Sequence, residues 1–293
     1  MAGCAAGSVG GPAPATEAHP APVKLVPDGD LALHVWPAEG PTRAAILALH
    51  GYGDASDLTF EFAARDWAAR GIAVYALEQR GFGANPSRQQ WPGVDALVAD
   101  AKAAAAEVRR RSPGVPLTVV GHSMGGGVAL VAAAEGMDAD ALVLAGPAIA
   151  GGPALGEIAR GASWTLAAAL PDVRWTGQGF VHIQPTDNPS AMARVLADPR
   201  HFGNPSSREL YGLVRLMDRA AAEAPRVRIP TLTLMGAHDE VLEPDRVAEI
   251  ARTIPGNAGF ILYPDGWHWL FTDRQAPRVW QDVAAFALAA PRR

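Results

Sequence analysis

Residues 117–135 read LTVVGHSMGGGVALVAAAE, and the reading of this stretch decides the fold. Leu117 to Gly121 is apolar, β-branched or small and reads as a buried strand. From Met124 onward small and apolar residues recur at helical spacing with no proline to interrupt them. Between the two lies Gly121-His122-Ser123-Met124-Gly125, a G-x-S-x-G at a strand-to-helix junction. A serine on so sharp a turn sits in a strained backbone conformation. Side chains at the flanking positions would collide with the neighbouring strand and helix, and Gly121 and Gly125 remove them. The hydroxyl then stands clear of the sheet, and the N–H of Met124 opens the new helix, where negative charge is favoured. In a chain with 31 glycines the five-residue pattern alone carries little weight. The strand before it and the helix after it carry the reading, against the plainer alternative of a glycine-rich helix start packed closely on a sheet. Ser123 is a candidate nucleophile.

Composition sets the limits. A chain of 293 residues with 49% hydrophobic residues holds a full core and fits one α/β domain with an insertion. A net charge of −5 and no basic stripe exclude nucleic acid as the expected partner; Arg109-Arg110-Arg111 is a short cluster suited to the negative end of a helix. One cysteine, Cys4, excludes an internal disulfide framework and a cysteine-rich metal site. His19, His34, His182 and His201 show no metal-ligand spacing and read as surface or satisfied polar residues, so neither metal nor cofactor is expected.

Residues 1–22 are Ala/Gly/Pro-rich and read as a disordered arm. Met1-Ala2-Gly3-Cys4 looks like the end of a bacterial lipoprotein signal without its charged start and apolar stretch. The sequence as given is expected in the cytoplasm; if the true start lies upstream, Cys4 is a lipid anchor and the protein is tethered to a membrane. Strands are expected at Leu31–Trp36, Ala44–His50, Ile72–Leu77, Ala141–Ala145, Thr231–Met235 and Phe260–Tyr263. Helices are expected at Leu58–Arg70 (closed by Gly71), Val94–Arg111, Pro244–Ile254 and Val279–Leu288. This alternation calls for a mostly parallel sheet with helices on both faces. The rhythm breaks over residues 147–225, where Gly151–Leu170 reads as one or two helices and Ser207–Ala224 as another, around a proline-rich passage. That excursion reads as a helical cap over the carboxyl edge, with residues 23–146 and 226–293 as the core.

A serine nucleophile needs a base, and the base needs an acid. Asp239 follows one late strand directly and His268 follows the next, so both belong to the carboxyl edge and can reach Ser123. Glu240 and Asp265 compete as acids, His238 and His50 as bases; His238 adjoins the candidate acid and is poorly placed to bridge to the serine. His122 is expected to pack or hydrogen-bond beneath the turn. These residues resemble the monoacylglycerol lipase and lysophospholipase branch of the α/β-hydrolase superfamily. The resemblance runs from about Leu31 to Ala289. It rests on His50-Gly51-x-Gly53, Arg80-Gly81-Phe82-Gly83, Gly121-His122-Ser123-Met124-Gly125-Gly126, Gly236-x-x-Asp239 and His268. It departs at Glu78-Gln79, where the family usually has an aspartate, and at Ala84-Asn85-Pro86, where a serine is common.

The resemblance implies an α/β-hydrolase fold and a two-step acyl transfer on a small-molecule ester or lipid. Ser123 would be the nucleophile, His268 the base and Asp239 the acid, with the N–H groups of Tyr52 and Met124 as the oxyanion hole. The apolar cap residues Trp164, Phe180, Leu210 and Met217 would cover an acyl chain, or else belong to the cap's own core. A serine where an aspartate nucleophile would stand speaks against epoxide hydrolase or dehalogenase chemistry. A peptidase of the same fold would need cap carboxylates to hold an amino terminus, and Glu157, Asp172, Asp187, Asp198, Glu209, Asp218 and Glu223 keep that reading open. An acyltransferase or perhydrolase would share every residue and differ in the acceptor. A non-catalytic binding module of this fold usually lacks a triad member, and all three are present here.

Overall fold

Hydrophobic runs at the predicted strands assemble into a sheet whose register is visible in the alternation of single residues. In the computed structural model, which describes residues 23–24, 31–150, 157–175 and 183–292, the strands are β1 (Val23–Lys24), β2 (Ala32–Trp36), β3 (Ala44–Leu49), β4 (Ile72–Glu78), β5 (Leu117–His122), β6 (Ala141–Ala145), β7 (Thr231–Gly236) and β8 (Asn257–Tyr263). Among the described residues they form one eight-stranded sheet in the order β1-β2-β4-β3-β5-β6-β7-β8. β2 runs antiparallel to β4, and β1 to β2, while every pairing from β4 across to β8 is parallel. The carboxyl ends of six strands therefore lie along one edge, and every loop that carries a predicted site residue leaves from it.

The helices are α1 (Ser56–Ala69), α2 (Val94–Arg111), α3 (Met124–Ala134), α4 (Glu157–Ala169), α5 (Pro189–Ala197), α6 (Ser207–Glu223), α7 (Pro244–Ala251) and α8 (Ala276–Ala289). In β3, Ala45, Leu47 and Leu49 join the core cluster under α2, α3 and α6, whereas Ala44, Ile46 and Ala48 join the opposite cluster with Phe60, Trp67 and Val283 of α1 and α8. A strand covered on both faces must be apolar at every position, and all six residues of β3 are buried. α3 is buried along Met124 to Ala132, because β5 and β6, α2 and α6 enclose it; that explains a helix apolar all round. Gly71 takes φ +78 after α1, the left-handed stop expected there.

Between β6 and β7 lie α4, α5 and α6. Of the stretch Gly151–Leu170, read as one or two helices, the described residues hold one at Glu157–Ala169, residues 151–156 lying outside them, and the helix expected at Ser207–Ala224 ends one residue earlier. Ser206 and Glu209 close a capping box on α6. α5 falls in the passage read only as proline-rich. Asn188 caps it by accepting from Ser190 and Ala191, and Pro189 takes the first turn, where its missing N–H costs nothing. The expected arm at residues 1–22, Cys4, His19, Phe180 and His182 lie outside the described residues. No helix among the described residues is long and apolar enough to cross a membrane.

Candidate active site

Ser123 occupies the turn between β5 and α3 with φ +52 and ψ −118, a conformation costly for any residue with a side chain. The turn is held by its surroundings. Ser123 N–H donates to Ala145 O (3.0 Å), and Ser123 O accepts from Gly126 N (2.9 Å), Gly127 N (3.3 Å) and Ala148 N (2.8 Å). A Cβ at Gly121 would lie 2.4 Å from Gly125 O, and one at Gly125 only 2.2 Å from Leu49 O. Both glycines are therefore required by close backbone approach. Met124 is the first residue of α3, so its N–H is among those a helix leaves without an internal acceptor.

The loops after β7 and β8 bring Asp239 and His268 across the end of β6 to this serine. His268 Nδ1 lies 2.8 Å from Asp239 Oδ2, and His268 Nε2 lies 3.0 Å from Ser123 Oγ. The geometry fits a ring that donates to the carboxylate and accepts from the hydroxyl. Gly146, at the end of β6 beneath this crossing, takes φ +47, a conformation that favours glycine; a Cβ there would lie in ordinary contact with His268 Nδ1 at 3.4 Å and Asp239 Oδ2 at 3.5 Å. Burial alone would raise the Asp239 carboxyl, but the His268 ring and the N–H groups of Leu242 and Val241 outweigh it and hold it below the ordinary aspartate value. Among the competitors, His238 and Glu240 are exposed, Glu240 accepting from Gln184 N, and Asp265 is exposed on the same loop as His268.

The His268 loop is fastened from below by two residues. His122 donates through Nε2 to His268 O (2.9 Å), its ring 5.2 Å from that of His268, in the supporting place expected of it. Asp273, which sequence reasoning passed over, accepts from Trp267 N (3.0 Å) and Gln275 Nε2. Burial, reinforced by His268, pushes His122 down to about 4; burial, partly offset by those hydrogen bonds, pushes Asp273 up to about 6 from 3.8. Their signs oppose. A buried histidine whose pKa is lowered contributes stability that is complete above pH 6.5 and lost as the pH falls toward 4. A carboxyl whose pKa is raised contributes stability that is complete below pH 3.8 and lost as the pH rises through 6. Each is worth about 3 kcal/mol. Asp273→Asn is therefore expected to expose the histidine's slope: between pH 6.5 and pH 4 the unfolding free energy from urea titrations should fall by about 3 kcal/mol more in the variant than in the parent. Equal slopes in the two proteins would refute the assignment.

On the other side of Ser123 lies the His50-Gly51-Tyr52-Gly53-Asp54 loop, with the Gly51 Cβ position 3.3 Å from Ser123 Cβ. His50 is fully buried behind it, its Nδ1 on Gly51 O (2.8 Å) and its Nε2 accepting from Gln79 N (3.2 Å). Burial would lower its pKa, but Glu78, with Oε1 3.4 Å away, raises it overall. Here the departure from the family pattern finds its account. The longer Glu78 also takes hydrogen bonds from Ser56 N and Oγ, and Gly83, at φ +56, leaves the space that its carboxylate occupies. His34, Asp57 and Glu78 are near enough to share a cation. Ser56 already bridges His34 and Glu78, and Arg200 holds Asp57 through both oxygens, so the arrangement is a filled hydrogen-bond network.

The expected substrate-binding residues separate. Met217 packs against the main core, Leu210 is half-buried, and Trp164 is 58% exposed. Trp164 lines a groove of about 1060 Å³ with Trp91, Tyr211 and Arg215, bordered by none of Ser123, Asp239 and His268.

Residues 40–275 match the family Hydrolase_4, "Serine aminopeptidase, S33". A monoacylglycerol lipase of Mycolicibacterium smegmatis is 25% identical over 268 residues, covering 87% of this chain and 91% of its own. Among solved structures, the Paleococcus ferrophilus monoacylglycerol lipase superposes with a TM-score of 0.75 at 20% identity, covering 89% of this chain and 99% of its own. The Saccharomyces cerevisiae monoglyceride lipase does so with a TM-score of 0.74 at 21% identity, covering 88% and 91%. The chain belongs to the Hydrolase_4 family and is an α/β-hydrolase of the monoacylglycerol lipase branch.

Proposed function

We propose that the protein is a carboxylic ester hydrolase that cleaves monoacylglycerol- or lysophospholipid-like lipids through an acyl-enzyme on Ser123. The observation that supports this reading is the continuous hydrogen-bond line Asp239–His268–Ser123 at the turn after β5. In the first step Ser123 Oγ attacks the ester carbonyl carbon while its proton passes to His268 Nε2; Asp239 keeps the ring oriented and stabilises its charged form. The tetrahedral oxyanion is held by the N–H groups of Met124 and Tyr52. The C–O bond to the alcohol then breaks as His268 returns the proton to the leaving oxygen. Water repeats the sequence on the acyl-enzyme and releases the acid. Residues 147–225 serve as the cap that covers the acyl chain.

The family's description favours a second reading, an aminopeptidase. A free carboxylate in the cap would be needed to hold a substrate's amino group. Asp198 is held by Arg200, Glu209 by Arg174 and Ser206 N, Asp172 by Arg208, Glu223 by Arg226, and Asp187 takes Arg274 N. Asp198, Glu209, Asp172 and Glu223, each paired with a guanidinium group, make poor ammonium acceptors, and to that extent the cap favours the ester reading.

A panel of p-nitrophenyl esters of increasing chain length, a 1-monoacylglycerol, a lysophospholipid and an aminoacyl-anilide tests both. Ester turnover is expected, with its chain-length optimum sizing the acyl pocket. Turnover of the anilide alone would move the assignment to a peptidase, and silence with folded protein would overturn the catalytic reading.

A further inference from the structure

We infer that residues 198–203, which follow α5 in the insertion, form a clasp that fixes the oxyanion loop, with Phe202 as its central positioning residue, so that turnover depends on how the insertion is docked on the core. The inference rests on the ester-hydrolase reading, and in particular on Tyr52 N–H as an oxyanion donor.

Consecutive residues of the segment grip consecutive parts of the loop. Phe202 N donates to Gly53 O (2.9 Å). The two backbones are so close that a Cβ at Gly53 (φ +73) would lie 2.0 Å from Phe202 O. The Phe202 ring, 5% exposed, stacks on Phe82 with centroids 5.8 Å apart and planes 6° apart, and meets Tyr52 edge-on at 5.5 Å. Tyr52 and Phe82 complete the triangle at 5.3 Å. His201 Nδ1 lies 3.1 Å from Asp54 Oδ1. The Arg200 guanidinium donates to both oxygens of the fully buried Asp57 (2.8 and 3.0 Å), and Asp198 braces that guanidinium from behind. The Tyr52 hydroxyl is buried near Glu209 of α6 and Arg174 without a hydrogen bond of its own among the described residues, so the side chain of the donor residue also rests beside the insertion.

The consequence is geometric. A backbone N–H stabilises an oxyanion only when it is aimed at the developing charge before reaction, and losing one such donor costs two to three orders of magnitude in kcat. The core holds this stretch at His50 and, through Glu78 and His34, at Ser56, whereas Gly53, Asp54 and Asp57 between and beyond them take their contacts from the insertion. Releasing Phe202 frees the Gly53 carbonyl and one wall of the Tyr52 ring together, and the donor loses its aim. Ground-state binding of the acyl chain is untouched by that change, so the effect belongs in kcat.

The test compares Phe202→Ala and Phe202→Leu with the parent, measuring kcat and KM for a p-nitrophenyl ester, the inhibition constant of an alkylboronic acid and the Tm. The boronate forms a tetrahedral adduct on a serine and so reads the oxyanion hole. Phe202→Ala is expected to lower kcat about 10- to 100-fold with KM within threefold, and boronate affinity should fall in parallel. Phe202→Leu, which keeps most of the apolar volume, is expected to fall between, and it carries the test if the alanine protein does not fold. Folded variants with parental kcat and boronate affinity would overturn the clasp while leaving the hydrolase reading intact. A lowered Tm with parental boronate affinity would reduce Phe202 to a stabilising residue and overturn it equally. A parent protein that neither hydrolyses esters nor binds the boronate would instead overturn the hydrolase reading, and the clasp with it.

Discussion

Ser123→Ala is expected to lower kcat for a short-chain p-nitrophenyl ester by about a millionfold, the scale on which Ser-His-Asp hydrolases lose activity when the nucleophile is removed. His268→Ala should do the same. The double variant should be no worse than either single one, because serine and base act as one unit across the 3.0 Å contact between them. Asp239→Asn should cost about four orders of magnitude, since an amide no longer favours the tautomer with the proton on Nδ1 and cannot stabilise the charged ring. Losses that multiply in the double variant, or a Ser123→Ala protein that keeps a few per cent of parental rate, would refute the assignment of these roles. Active-site titration with a fluorophosphonate separates the two cases, because only a working Ser123 is labelled.

Gly125→Ala should damage fold and activity at once. Its methyl would lie 2.2 Å from Leu49 O and 2.6 Å from His50 O, both backbone atoms at the end of β3, so no rotamer change relieves the overlap. Either α3 moves away from β3 or β3 shifts with its outgoing loop. Overpacking of this kind costs upward of about 3 kcal/mol, equivalent to a Tm lower by roughly 5 °C in a chain this long. A displacement of about 1 Å between Ser123 and the His50–Asp54 loop should take a further hundredfold from kcat. Gly121→Ala, blocked by Gly125 O and the Gly126 Cα at 2.4 and 2.6 Å, should behave alike. Thermal melts alongside kcat check both, and a Gly125→Ala protein with parental Tm and kcat would show the turn to be far more compliant than its contacts imply.

Much of the fold was legible because its signals are local. Six parallel strands are continuous apolar runs, and their loops announce themselves with His-Gly, G-x-S-x-G and Gly-x-x-Asp. Once the strands are parallel, Ser123, Asp239 and His268 must share an edge, whatever separates them in sequence. The less legible parts depend on distance. The His–Asp pair joins residues far apart in the chain across the end of β6, and Asp273 matters only because its loop folds back under Trp267. Phe202 lies about 150 residues from Gly53, and nothing in its neighbours announces the contact. Apolarity did not sort the insertion's side chains either: Trp164 and Met217 look equally suited to a core, yet one is exposed and the other packed. α5 is a different case. Asn188-Pro189 is a sound helix start that the surrounding prolines obscured.

Every turnover of the proposed reaction liberates a carboxylic acid, so a hydrolase working at a crowded lipid source acidifies its own surroundings. The loop that carries the base is pinned by one group that loosens on protonation and another that tightens over nearly the same range, His122 and Asp273. Their contributions offset between about pH 4 and pH 6. That loop thus rests on a compensated balance: what protonation takes from one of its supports it gives to the other.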